Sequence, residues 1–144
     1  MITPRETIYA ALFALASSAA SFKKKSRRAV LWSDISPVDM PYLGMSQGSE
    51  TAETKTKQPT IWHLNVDMYV YVSIGNDPNV VGTQLLNPIL DQLTALFDPQ
   101  PASAYQTLGG LVHYCRVNGS IEIADEGVLG TTAVAIIPIE ILVT

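Results

Sequence analysis

Trp62-His63-Leu64-Asn65-Val66-Asp67-Met68-Tyr69-Val70-Tyr71-Val72-Ser73-Ile74 alternates without a break: every even position is apolar, and the odd positions carry His63, Asn65, Asp67, Tyr69, Tyr71 and Ser73. Successive side chains of a strand point to opposite faces, so this stretch buries one face and turns the other to water or to a partner. At about 3.3 Å per residue it reaches roughly 40 Å, well past the usual strand of about five or six residues. A strand this long is expected to leave its own domain or to pair outside it.

Downstream, Gly75-Asn76-Asp77-Pro78 reads as a turn. Leu85, Leu86, Ile89, Leu90, Leu93, Leu96 and Phe97 then recur at helical spacing, with Pro88 tolerable only near the first turn. Asp98-Pro99-Gln100-Pro101 ends that helix. Leu111 to Val117 and Ser120 to Ala124 are strand-like, and Asn118-Gly119 between them is the pair favoured by a tight hairpin turn. Beyond Gly127 and Gly130, Ala133, Ala135, Ile137, Ile139, Ile141 and Val143 form an apolar face. Pro138 on the other face points to an edge strand or a bulge.

Upstream, the run Ile8 to Ala20 imitates a signal peptide, but Arg5 and Glu6 leave its leading segment without net side-chain charge. It is also shorter than the roughly 20 apolar residues that span a bilayer. Thr3 as cap, Pro4 at the first helical position and Glu6 three residues after Thr3 instead predict a helix opened by a capping box. Ile8, Leu12, Leu15 and Ala19 share one of its faces, with Tyr9, Phe13 and Ala16 beside them. Phe22 to Leu31 reads as a basic strand or extended arm, and the prolines between Trp32 and Pro41 forbid a helix. Tyr42 to Met45 is a short apolar strand candidate, followed by a polar loop or arm at 46–59, SQGSETAETKTKQP, which has no large apolar residue. The order predicts one α+β domain over 1–144: a mainly antiparallel sheet packed with two amphipathic helices, and one long projecting strand or hairpin arm.

Charge divides unevenly along this chain. Up to Gln58 there are eight Lys/Arg against five Asp/Glu, whereas from Pro59 onward Arg116 alone faces eight acids. Five of the basic residues crowd into Lys23, Lys24, Lys25, Arg27 and Arg28. A subunit with one positive and one negative region can dock head-to-tail on copies of itself, and such contacts close into rings when the rotation permits. The competing expectation is mutual neutralisation of the two halves within one monomer.

The sequence excludes several function classes. A pI near 5.0 argues against a dedicated nucleic-acid binder. Cys115 is the only cysteine, so nothing requires an oxidising compartment, and a soluble intracellular chain is expected. No phosphate-binding loop or dinucleotide fingerprint is present. His113 and Cys115, even with His63 nearby, are too few ligands for a zinc site, and Cys115 has no third group to complete a nucleophile and base arrangement. Asp34, Asp39, Asp125 and Glu126 fall in turns, where acids serve backbone hydrogen bonds. No enzyme, metal or cofactor is expected. The basic run keeps one alternative open, a small nucleic-acid-binding module, although Phe22 and Trp32 flank the cations rather than interleave with them.

Ser26-Arg27-Arg28, Trp32 with Asp34, Met40-Pro41-Tyr42-Leu43, the polar arm, the alternating strand, the helix around Leu85–Phe97 and Asp125-Glu126-Gly127-Val128-Leu129-Gly130 follow one another in a layout that resembles the phage tail terminator proteins. The resemblance implies a structural virion protein at the head-proximal end of the tail, assembled in the host cytoplasm. It implies a hexameric ring that stops tail-tube polymerisation and joins the tail to neck or head–tail connector proteins, with DNA passing through the lumen without specific binding. A neck or head-completion protein is the structural alternative. On this expectation Lys23, Lys24, Lys25, Arg27 and Arg28 face Glu122, Asp125 and Glu126 of an adjacent subunit. Glu50, Glu53, Lys55 and Lys57 of the arm contact the tube or neck.

Overall fold

In the computed structural model, which describes residues 1–75, 77, 79–98, 105–125 and 131–144, the alternating stretch is the middle of one sheet. The elements in order are α1 (Arg5–Ser17), β1 (Lys24–Ser26), β2 (Tyr42–Glu53), β3 (Ile61–Ser73), α2 (Gly82–Phe97), β4 (Tyr114–Val117), β5 (Glu122–Ala124) and β6 (Thr132–Val143), with short 3-10 turns at Trp32–Asp34 and Pro37–Asp39. The strand order is β1-β2-β3-β6-β4, with β5 also on β6. Every pairing is antiparallel except β1 with β2, which is parallel. The fold is α+β, as the sequence predicts.

The length of β3 has a different consequence from the one expected. It does not leave the domain: β2 and β6 are each 12 residues long and flank it, β6 pairing continuously from Trp62↔Val143 to Ser73↔Thr132. Of the two readings of the 46–59 segment the hairpin arm holds: β2 runs through Glu53 and pairs with β3 up to Ile61. Asn65 secures it, donating from Nδ2 to the Ser49 carbonyl at 3.1 Å beside an irregularity between Gln47 and Glu50.

Alternation puts Leu64, Val66, Met68, Val70 and Val72 on the same side as Leu43, Met45 and the β6 residues Ala133, Ala135, Ile137, Ile139, Ile141 and Val143. Both helices cover this side. Helix α1 contributes Ile8, Tyr9, Leu12 and Ala16, and α2 contributes Leu86, Ile89, Leu90, Leu93 and Phe97. Helix α1 starts without the capping box: Pro4 is its N-cap, and the Thr3 hydroxyl donates instead to the Leu111 carbonyl at 3.4 Å. Helix α2 begins at Gly82, earlier than its apolar periodicity indicates, so Pro88 lies in its second turn. Gly82 is required there by close approach, because a Cβ would come 2.7 Å from the Ala133 Cβ.

On the second side of the sheet a smaller apolar cluster forms at one end. The crossover from β1 to β2 lays Ile35 and Met40 against Tyr42, Tyr71 and Val134. Tyr42 and Tyr71 stack with ring centroids 5.4 Å apart, and the Tyr71 hydroxyl donates to the Val30 carbonyl at 2.7 Å. The peptide between Met40 and Pro41 is cis.

Asn118-Gly119 does not turn a hairpin. Strands β4 and β5 both pair with β6, at Leu142 to Ile139 and at Ile136 to Val134, as one edge strand interrupted between them. Pro138 sits opposite the interruption, in the interior strand β6 rather than on an edge. The bulge half of its expectation is therefore met and the edge half is not.

Candidate functional site

The basic run begins at the free edge of the sheet. Strand β1 has β2 on one flank only, and Lys24 and Lys25 are exposed upon it. Register places Lys25 beside Leu43 and Lys24 beside Tyr42, so Lys25 is on the helix-bearing side and Lys24 on the other. Lys24 Nζ lies 3.8 Å from Asp39 Oδ2. Arg27 turns toward α1 and binds both Glu6 oxygens in a forked ion pair, its Nη2 donating to Oε2 at 3.2 Å. That hydrogen bond, with the adjacent positive charge, holds the Glu6 carboxyl below the usual carboxylate value. Lys23, Lys25 and the Arg28 side chain are exposed, with no ion pair among the described residues. The run is thus divided: Arg27, and more loosely Lys24, have acidic partners within the chain, whereas Lys23, Lys25 and Arg28 project from it.

The acids expected to meet them lie across the sheet. Glu122 and Ile123 are exposed on β5, the opposite edge, four strand spacings or about 19 Å away. Asp125 is half-buried and its Oδ1 lies 2.6 Å from where a Cβ on Gly82 would be, so this carboxylate faces the start of α2 rather than the free edge. Glu126 lies outside the described residues, as do the residues of the motif that follow it to Gly130.

The arm residues also make contacts within the chain. Glu50 turns back to α1: Arg5 Nε donates to its two oxygens at 3.0 and 2.9 Å, and the Tyr9 hydroxyl donates to Oε1 at 3.1 Å. Burial, reinforced by the Glu50 charge, pushes the Tyr9 phenol up to about 12. The Arg5 guanidinium also lies 5.2 Å from the centre of the Trp62 ring. Glu53 accepts from His63 Nε2 at 3.2 Å and has Lys55 Nζ at 3.8 Å. Lys57, at φ 62°, is exposed in the connection to β3. Of the four arm residues, Glu50 is held against α1, Glu53 and Lys55 lie near each other with His63 on Glu53, and Lys57 is exposed.

A polar network on the open side was not anticipated. Glu140, the lone charge in the apolar run of β6, is its centre. Tyr114 Oη donates to Glu140 Oε1 at 3.2 Å, Arg116 Nη2 to Oε1 at 3.3 Å and Asn118 Nδ2 to Oε2 at 3.2 Å, with His63 Nδ1 3.6 Å away. Arg116 lies over the Tyr114 ring at 4.5 Å. Its sequence signal was the polar odd register of β3, which places His63 opposite Leu142 and Asn65 opposite Glu140. These contacts tie β4 and the Asn118 loop to β6 on this face.

Cys115 lies on the other side, opposite Ile141, and burial pushes its thiol up to about 12. The sheet thus separates it from His63, while His113 meets the Thr144 hydroxyl at 3.1 Å. Among the described residues no group of three or more His, Cys, Asp or Glu is placed to hold a metal ion, and no helix is long and apolar enough to cross a membrane. Comparison with protein-family models gives no match to this sequence, and comparison with curated proteins likewise gives none.

Proposed function

We propose that this chain is a structural, non-enzymatic ring subunit of the tail-terminator type, which caps a polymerising tail tube and joins it to the neck. The observation that carries the proposal is the placement of unlike charge on opposite free edges of one sheet: Lys24 and Lys25 on β1, Glu122 on β5. Contacts between two different surfaces of one subunit are heterologous and generate closed rings or open filaments. Opposed charge sets the register of such contacts. The helices cover one side and a polar network lies on the other, which leaves the edges as the unlike surfaces a ring needs. The alternating strand, the two amphipathic helices and the element order support the resemblance to tail terminators. A module for nucleic acid receives less support, because Arg27 is held by Glu6 and Lys24 lies near Asp39.

The deciding experiment adds purified protein to polymerising tail-tube subunits and measures tube length by electron microscopy. A terminator caps growth, giving shorter tubes as its concentration rises, with a ring of six subunits at one end. Unchanged lengths with the protein bound elsewhere would place it among neck or head-completion proteins instead.

A further inference from the structure

Asn118 is the only asparagine of the chain that precedes a glycine: Asn65, Asn76, Asn79 and Asn87 precede Val66, Asp77, Val80 and Pro88. Asn118 and Gly119 stand exposed in the interruption between β4 and β5, outside any strand. Gly119 has φ 113° and no side chain to shield its nitrogen. Among the described residues nothing accepts a hydrogen bond from the Gly119 N–H, whereas the Asn118 N–H is held by the Pro138 carbonyl at 3.0 Å. The Asn118 side chain is held through Nδ2, which donates to Glu140 Oε2 at 3.2 Å. Asparagine is a thermolabile residue. An exposed amide carbon beside a free, unhindered backbone nitrogen is the arrangement in which it cyclises.

We propose that Asn118 is a self-modification site that converts to aspartate and isoaspartate with no enzyme or cofactor. The Gly119 nitrogen attacks Asn118 Cγ, the new C–N bond closes a cyclic imide, and the Cγ–Nδ2 bond breaks. Nδ2 leaves as ammonia, taking up the proton that the Gly119 nitrogen gives up. Water then opens the ring, at Cγ to give aspartate or at the main-chain carbonyl to give isoaspartate. The sum is amide plus water to acid plus ammonia, with nothing oxidised or reduced.

The consequence falls on the polar network of the open side. The donor that ties this loop to β6 becomes an anion, placed where Nδ2 now meets Glu140. Arg116, on Glu140 Oε1 at 3.3 Å, is then shared between two carboxylates. Attraction gives way to repulsion between like charges. Isoaspartate also lengthens the main chain by one methylene directly after Val117, the last β4 residue paired with β6. The modification therefore loosens the β4 edge from β6, and the age of the chain is its input. It operates whether or not the chain forms rings.

The test holds the full chain warm at mildly alkaline pH and follows each asparagine by peptide mass spectrometry, with fragmentation that separates isoaspartate from aspartate. Asn118 should convert far ahead of Asn65 and Asn87 and give both products. Gly119→Ala should slow it roughly tenfold, equivalent to about 1.4 kcal/mol in the barrier. Conversion no faster than at Asn65 and Asn87, which needs no variant to observe, would overturn the proposal. Aspartate without isoaspartate, or an equal rate in Gly119→Ala, would overturn it too. Asn118→Asp carries the product's charge without the reaction and should unfold at lower urea than the wild type. In a Glu140→Gln background that difference should vanish. A wild-type midpoint, or an equal loss in both backgrounds, would overturn the link to Glu140.

Discussion

Asn118 donates its backbone N–H to the Pro138 carbonyl at 3.0 Å. In an antiparallel strand a residue's N–H and carbonyl point to the same flank, so the donor that Pro138 lacks is missing on the side where β4 and β5 break. The two strands resume on β6 with a shifted register, Val117 opposite Ile139 and Glu122 opposite Ile136. The interruption places the extra residues of a bulge where a ladder bond is impossible.

Gly119 makes that interruption feasible at φ 113°, a region closed to most side chains. Gly119→Ala should lower stability by about 1–3 kcal/mol, from backbone strain. Urea unfolding followed by circular dichroism measures it. An unchanged midpoint would show that the bulge tolerates a side chain and that the left-handed backbone is not needed.

The contacts of Glu50 anchor α1 on β2, and they predict a stability effect separate from assembly. Arg5 is about half exposed, its side chain at 48%, so solvent screens the pair. Glu50→Gln should cost about 0.5–1 kcal/mol of stability and leave the proposed self-association unchanged. Paired thermal melts and native mass spectra would test this. Loss of assembly with an unchanged melting temperature would restore Glu50 to the contact surface.

Alkaline conditions should loosen the fold. Burial first, then the Glu50 charge, pushes Tyr9 up to about 12, and burial, with Tyr42 and Tyr69 nearby, does the same for Tyr71. Above the usual phenol value near 10 the unfolded chain releases protons that the folded chain keeps, so stability falls as pH rises. The contribution is fully present below about pH 10 and is lost through about pH 12, on the order of 1 kcal/mol per tyrosine after solvent screening. Tyr9→Phe with Tyr71→Phe should flatten urea midpoints measured across that window. A slope that persists in the double variant would assign it to other groups.

Cys115 should ignore thiol reagents while the protein is folded. Its side chain is buried between the sheet and the helices, and burial holds the thiol up to about 12, whereas the thiolate is the reactive form. Labelling with a maleimide at neutral pH should therefore track unfolding across a urea series. Rapid labelling without denaturant would show that the edge around β4 opens readily.

Legibility followed the strength of each periodic signal. The alternation of β3 and the leucines of α2 gave the correct elements because each pattern runs through several turns or strand pairs and buries a whole face. Asn118-Gly119 misled because the positive φ that suits a hairpin turn also suits a bulge, and only the long-range partner distinguishes them. Thr3 and Glu6 had the spacing of a capping box, but Leu111 and Arg27 offered each a partner far away in sequence. The same limit applies to the candidate site. Composition placed cations and acids in different regions of the chain, yet whether Arg27, Glu50 and Asp125 look outward or inward depends on neighbours that no local pattern encodes.

The position of β6 in the sheet also orders events on the ribosome. Strand β3 acquires β2 through a nearby connection, but its other flank waits for residues from Thr132 onward. Until these emerge, a nascent chain carries a long unsatisfied edge above the apolar row from Leu64 to Val72, the kind of surface that recruits neighbouring chains indiscriminately. A chain stalled or cleaved before Thr132 would keep that edge unpaired for as long as it lacked β6.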